Sequence, residues 1–238
     1  VQSGRAAYVP FGHDYPGAPE QLSRDLVLQR LKPLLENAAP PKVGHNTKFD
    51  AHVFARHGLQ LAGVCFDSML ESYVWNSTAT KHELDAVARK YLGFDPVRYE
   101  AVTGRGAKQL SFNQVALEPA LSYAAEQADL ALQLHEHLWP KLSGVETVRC
   151  VYETIEQPLS PVLQRMEQTG VLIDGAKLKE QSAQLARSMK EIEAQAHAAA
   201  GGPFNLDSPK QLQDVLFGKL AIPVMRKTAS GQPSTAED

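Results

Sequence analysis

The chain has 238 residues, 43% of them hydrophobic and 21% charged, with a formal net charge of −3. That is ordinary globular composition, enough for one large or two small domains, and no apolar run reaches membrane-spanning length. The charge weighs against a uniformly basic nucleic-acid binder but leaves binding through local patches open. Cys65 and Cys150 form no Cys-x-x-Cys pair, so neither a structural zinc site nor a disulfide framework is expected, and a cytosolic protein is the simplest reading.

In chain order, Arg5 to Pro10 reads as a short strand, closed by Pro10 and a loop rich in Gly, His, Asp and Pro. Ser23 is placed to cap a helix through Leu35, with Leu26, Leu28, Leu31, Leu34 and Leu35 at roughly helical spacing. Pro40 and Pro41 break the chain. Val43-Gly44-His45-Asn46 then reads as a strand end running into a helix with Phe49, Val53 and Phe54 inside. Val64 to Asp67 is a second short strand, followed by helices over 68–75 and 83–91. From Ser122 to Leu142 the pattern is strongly helical, with Tyr123, Leu130, Leu134 and Leu138 in phase. Strands alternating with helices make this first part α/β.

Beyond residue 145 the chain shows no clear strand. A long helix is predicted between Asp174 and Gly201, with Leu178, Leu185, Met189, Ile192 and Ala196 forming a narrow, coiled-coil-like stripe. Gly201-Gly202 ends it. Ser208-Pro209 opens a short helix, and the stretch from Arg226 is polar. These changes place a domain boundary near residues 143–150, between an α/β domain (1–143) and an all-helical part (144–238).

Three groups of residues are candidates for chemistry. Asn46 and Asp50 are four apart and share a helix face, at the C-terminal end of a strand, where open α/β sheets place their sites. The plainer reading makes Asn46 a helix cap and Asp50 a solvated side chain. Tyr123 and Gln127 are also four apart, whereas Asp129 lies about 200° around the helix from Gln127. The plainer reading there is an amphipathic helix with Tyr123 half buried. The basic loop 104–109 follows Tyr99, a combination suited to single-stranded DNA, or to a solvated surface loop. The histidines, His135 and His137 included, show no metal-ligand spacing and read as mostly surface residues.

Together these segments resemble the bacterial family A DNA polymerases. Residues 43–50 look like the second motif of their 3′→5′ exonuclease domain, and Phe66 to Tyr73 like the segment just after it. Gln109 to Gln114 and Tyr123 to Glu126 look like the approach to the third motif. Further along, Ile155 to Leu159, Gly170 to Asp174, Phe204 to Leu206, Lys227-Thr228 and Gly231 to Thr235 resemble the connection into the polymerase thumb. The resemblance covers the whole chain in one register. It implies a ribonuclease H-like fold of the DEDD exonuclease type, incomplete at its N-terminus, followed by an all-helical thumb segment.

What the family does follows from that resemblance. Its exonucleases trim single-stranded 3′ ends with two divalent cations, Mg²⁺ or Mn²⁺, held about 3.5–4 Å apart by carboxylates. The expected ligands are an Asp-x-Glu pair on a first strand, the Asp of the second motif, and an Asp four residues after the third-motif Tyr. Carried over, Asp50 is the second-motif Asp and a metal ligand, and Tyr123 is the Tyr that orients the attacking water. Asn46 and Tyr99 hold the single-stranded 3′ end. The implied partners are DNA, as a single-stranded 3′ end and as primer–template duplex along the thumb, and the rest of the polymerase chain. The implied setting is replication and repair in the bacterial cytoplasm, at the nucleoid, with no membrane.

Two departures qualify this. Gln127 stands where the third-motif Asp is expected, and an amide lacks the charge that favours a cation. No Asp-x-Glu occurs near the N-terminus, so a bare apolar strand edge is expected unless further residues precede Val1 or a second copy covers it. The expectation is a domain that contacts DNA and acts mainly as scaffold, inactive as a fragment. The alternative is a working proofreading exonuclease in the full-length protein, with Glu126 or Asp129 standing in for the missing Asp.

Overall fold

The computed structural model describes residues 1–236. It divides into two compact units, one from Val1 to Gly170 and one beginning at Val171.

In the first unit, α1 (Arg24–Leu35) is capped by Ser23, whose hydroxyl accepts from the Leu26 N–H. Strand β1 (Lys42–Gly44) leads into α2 (Thr47–Arg56), which returns the chain to β2 (Val64–Asp67). The strands pair in parallel, with an irregularity between Lys42 and Val43. A parallel pair needs such a helical crossover. Gly44 is required where β1 turns into α2, because a Cβ there would lie 2.6 Å from Thr47 Cγ2. Helix α3 (Ser68–Trp75) follows β2 directly, then α4 (Leu84–Tyr91), the short α5 (Tyr99–Thr103) and the long α6 (Leu117–Ser143). Val87, Leu134 and Leu138 are fully buried, with Trp75, Leu84, Tyr91 and Leu92 packed around them. This apolar knot sets α6 against α3 and α4. Helix α7 (Glu146–Val151), a π-helical turn (Tyr152–Glu156) and α8 (Gln157–Thr169) then fold back against β2 and α2.

In the second unit, Asp174 caps α9 (Gly175–Ala199) by accepting from the Lys177 N–H. Ser208 caps α10 (Pro209–Gln213). The stripe expected on α9 is present but open to solvent, with Leu185, Met189 and Ile192 each more than 60% exposed. No helix of the described residues is long and apolar enough to cross a membrane.

Three expectations are corrected. Residues 5–10 are not a strand, because among the described residues the sheet consists of β1 and β2 alone. Without a ladder partner the segment is tethered by other bonds: Gly4 N–H donates to Asp129 (2.6 Å), and Tyr8 bonds His13, whose Nδ1 lies 2.9 Å from the Val115 carbonyl. Phe49 and Val53 are exposed rather than inside. The inward face of α2 falls on Thr47 and Ala51, which are the buried pair. Against the expectation of mostly surface histidines, His135 is partly buried; its Nδ1 lies 2.7 Å from the fully buried Glu71 carboxylate.

Candidate functional site

The site is built on the corner where β1 enters α2. Asn46 sits there in the left-handed region (φ 57°, ψ 48°) and makes no side-chain capping bond. The cap comes instead from Asp67 at the end of β2. Its Oδ1 accepts from Asn46 N–H (2.9 Å), and its Oδ2 accepts from Thr47 N–H and Thr47 Oγ1–H (2.8 Å each). Asp67 also accepts from Met69 N–H at 3.0 Å, so one buried carboxylate caps both α2 and α3. Asn46 thus occupies the N-cap position of α2, as the plainer reading has it, but its side chain makes no capping bond.

One turn further on, Asp50 opens into a cavity of about 630 Å³. Val43, Gly44, His45 and Asn46 line it on one side, and Ala124, Gln127, Ala128 and Ala131 of α6 on the other. Partial burial, and then repulsion from Asp67, push the Asp50 carboxyl up to about 6. Glu83 also lines this cavity. The structure thus brings Asp50, Asn46 and Gln127 together around one space.

Tyr99 and Tyr123 line an adjoining cavity of about 470 Å³ with Arg89, Arg98, Gln127 and the carboxylates Glu83, Asp85 and Glu100; Arg89 is paired with Asp85 and Asp95. Their rings meet edge-on at 6.0 Å, and Phe112 completes a trio, 6.2 Å from Tyr99 and 5.8 Å from Tyr123. Burial, and next the neighbouring Tyr99, hold the Tyr123 phenol above its usual range. Gln127 borders both cavities.

The two carboxylates that flank Gln127 point elsewhere. Asp129 accepts from Gly4 N–H and from Gln133 Nε2–H, both at 2.6 Å. Glu126 accepts from Val97 N–H at 2.7 Å. Both line a third cavity with Ala125 and Leu130 that includes neither Asp50 nor Gln127. Among the described residues no three His, Cys, Asp or Glu side chains gather as metal ligands. The carboxylates on the lining of the Asp50 cavity are Asp50 and Glu83, and a pair of divalent cations is held by several that converge.

Asp67, Tyr152 and the Glu71–His135 pair were missed as parts of this corner. An Asp directly before a helix is a capping signal that sequence carries, but its second role, toward a helix that starts 20 residues earlier, leaves none. Tyr152 carries no sequence signal at all.

The family model for a 3′–5′ exonuclease matches residues 2–143, and that for DNA polymerase family A matches 175–238. DNA polymerase I of Pseudomonas aeruginosa is 52% identical over the whole chain, which covers 26% of that relative. DNA polymerase I of Rhizobium leguminosarum is 39% identical over 98% of the chain and is covered to 23%. The chain thus spans about a quarter of the length of these curated relatives. A solved structure described as the POL domain of Pol1 from M. smegmatis, in complex with DNA primer-template and dNTP, has 26% identity and a TM-score of 0.65. That match covers 87% of this chain and 33% of the other. With both family models matching in the order the structure shows, the chain belongs to the bacterial family A DNA polymerases, as a ribonuclease H-like 3′–5′ exonuclease domain followed by a helical polymerase segment.

Proposed function

We propose that this segment serves a bacterial DNA polymerase I in replication and repair as a DNA-contacting scaffold whose two-metal exonuclease site has decayed. The observation that carries the reading is Gln127 on the wall of the Asp50 cavity, a neutral amide where a metal site needs charge. Glu126 and Asp129 do not replace it, because both are hydrogen-bonded on another side of α6. That geometry weighs against a proofreading exonuclease rescued by either residue.

DNA contact remains within the site's chemistry. The trio of Tyr99, Phe112 and Tyr123 offers aromatic faces, with Arg98 beside them for phosphate, the combination that single strands stack and pair on. Asn46 supplies an amide at the neighbouring cavity. In this reading Asp50 and Tyr123 are remnants of the catalytic set, and Mg²⁺ or Mn²⁺ binds weakly if at all. The exposed stripe on α9 is where the rest of the polymerase chain packs, with primer–template duplex held along the thumb. The setting is the bacterial cytoplasm, at the nucleoid.

The test is degradation of a labelled single-stranded oligonucleotide from its 3′ end by the polymerase that carries this segment, with Mg²⁺ and with Mn²⁺, beside Asp50→Ala. No shortening above the variant is expected. Metal-dependent shortening that Asp50→Ala abolishes would reinstate the proofreading exonuclease.

A further inference from the structure

We propose that Asp67, held from behind by Tyr152, is the positioning residue that presents Asn46 and Asp50 to a DNA 3′ end; this rests on the DNA-contacting reading above. Asp67 is 1% exposed, and its two oxygens accept four bonds, from Asn46 N–H, Thr47 N–H, Thr47 Oγ1–H and Met69 N–H. A carboxylate has about four acceptor sites, so this one is saturated. Hydrogen bonds to a charged acceptor are the strong ones. They hold Asn46 in a left-handed conformation, which few residues other than glycine and asparagine adopt readily. The direction of the first turn of α2, and with it the placement of Asn46 and Asp50 at the cavity, follows from those bonds.

Asp67 is fixed in turn from the far side of β2. Its N–H donates to Tyr152 Oη at 2.9 Å, and Tyr152 is 1% exposed. The same hydroxyl lies 3.3 Å from Gln157 Oε1 and 3.4 Å from the Cys65 carbonyl. Gln157 Nε2–H donates to the Val64 carbonyl at 2.8 Å. The outer edge of β2 is therefore pinned by two side chains of the helical connection. Tyr152 lies in a π-helical turn, a feature often found at functional sites. Tyr152 and Gln157 also fall between the two matched family segments, 2–143 and 175–238. The connection toward the polymerase part thus reaches the corner that holds Asn46.

The experiment uses the full chain, ¹⁵N-labelled, and a fluorescent single-stranded oligothymidylate with a free 3′ hydroxyl. Asp67→Asn is expected to weaken binding about tenfold, and Tyr152→Phe about threefold, on the scale of lost charge-assisted and neutral hydrogen bonds. The double variant Asn46→Ala/Asp67→Asn is expected to lose less than the product of the two single losses, because Asp67 acts largely through Asn46. Wild-type affinity in Asp67→Asn, or losses that multiply in the double variant, overturns the proposal. If Asp67→Asn does not fold, Tyr152→Phe carries the test, since it leaves the carboxylate in place. If the wild-type chain does not bind the oligonucleotide, the DNA-contacting reading fails separately. Positioning then stands on the Asn46 and Thr47 amide resonances, which must move in Tyr152→Phe; unmoved resonances overturn it.

Discussion

The two walls of the Asp50 cavity are made differently. On the β1–α2 side a buried carboxylate, two helix starts and a tyrosine from a distant helix lock each other in place. On the α6 side the lining is Ala124, Ala128, Ala131 and the amide of Gln127. The first wall owes its shape to buried, charge-assisted hydrogen bonds that need no metal. The second has no formal charge on the residues that line it. Under the proposed function, the cation chemistry is lost on one side while the architecture of the other persists, because different interactions maintain them.

The largest effect should come from cutting the tie between the walls. Glu71 of α3 is fully buried, with Oε1 bonded to His135 of α6 and Oε2 without a partner. Burial raises its carboxyl above the usual range, with His135 opposing. His135→Ala leaves that carboxylate alone in the interior and should cost about 3 kcal/mol in chemical denaturation. A loss under about 0.5 kcal/mol, the scale of an ordinary surface substitution, would show that the walls stand independently.

A smaller effect separates backbone from side chain at the corner. Asn46→Ala forces a Cβ residue without a polar side chain into φ 57° and should cost about 1 kcal/mol. Asn46→Gly should be near neutral in stability while losing oligonucleotide affinity as Asn46→Ala does. Equal destabilisation by both would mean that the left-handed turn is not what the corner strains to hold.

Asp50 gives a pH-dependent effect of similar size. Its carboxyl is raised to about 6 from an ordinary value of 3.8, so between those values the folded chain binds more protons than the unfolded one. Stability should fall as pH rises through that window and level off above it. Asp50→Asn should flatten the profile and, above the window, stabilise by about 1 kcal/mol after allowance for the solvent that still reaches this partly buried group. A wild-type profile that rises over the window would contradict the partial burial of Asp50 and its repulsion by Asp67. The smallest change in stability should follow Gln127→Asp, within about 0.5 kcal/mol. That variant should nonetheless gain a Mn²⁺-dependent rise in Tm that the wild-type chain lacks.

The sequence made the scaffold readable and the polar wiring opaque. Ser23, Asp174 and Ser208 are local signals, and each caps the helix it precedes. The Asn46–Asp50 pair was legible because spacing alone puts both on α2. Phe49 and Val53 misled for the same reason: on one helix, stripes four residues apart exist on every face, and tertiary packing chose Thr47 and Ala51. The pairing of His135 with Glu71 leaves no sequence signal because the two lie 64 residues apart. Residues 5–10 have strand composition, but a strand exists only where a second one accepts its ladder bonds. Gln127 was visible throughout; that Glu126 and Asp129 are committed elsewhere required their partners in space.

The proposal that the Asp50 cavity does not support hydrolysis is tested most directly by nuclease assay of the polymerase that carries this segment. A single-stranded DNA labelled away from its 3′ end is incubated with Mg²⁺ or Mn²⁺, beside Asp50→Ala and Gln127→Asp. The account predicts no shortening by the wild-type protein above the Asp50→Ala background. Metal-dependent shortening by the wild type, lost in Asp50→Ala, would contradict it.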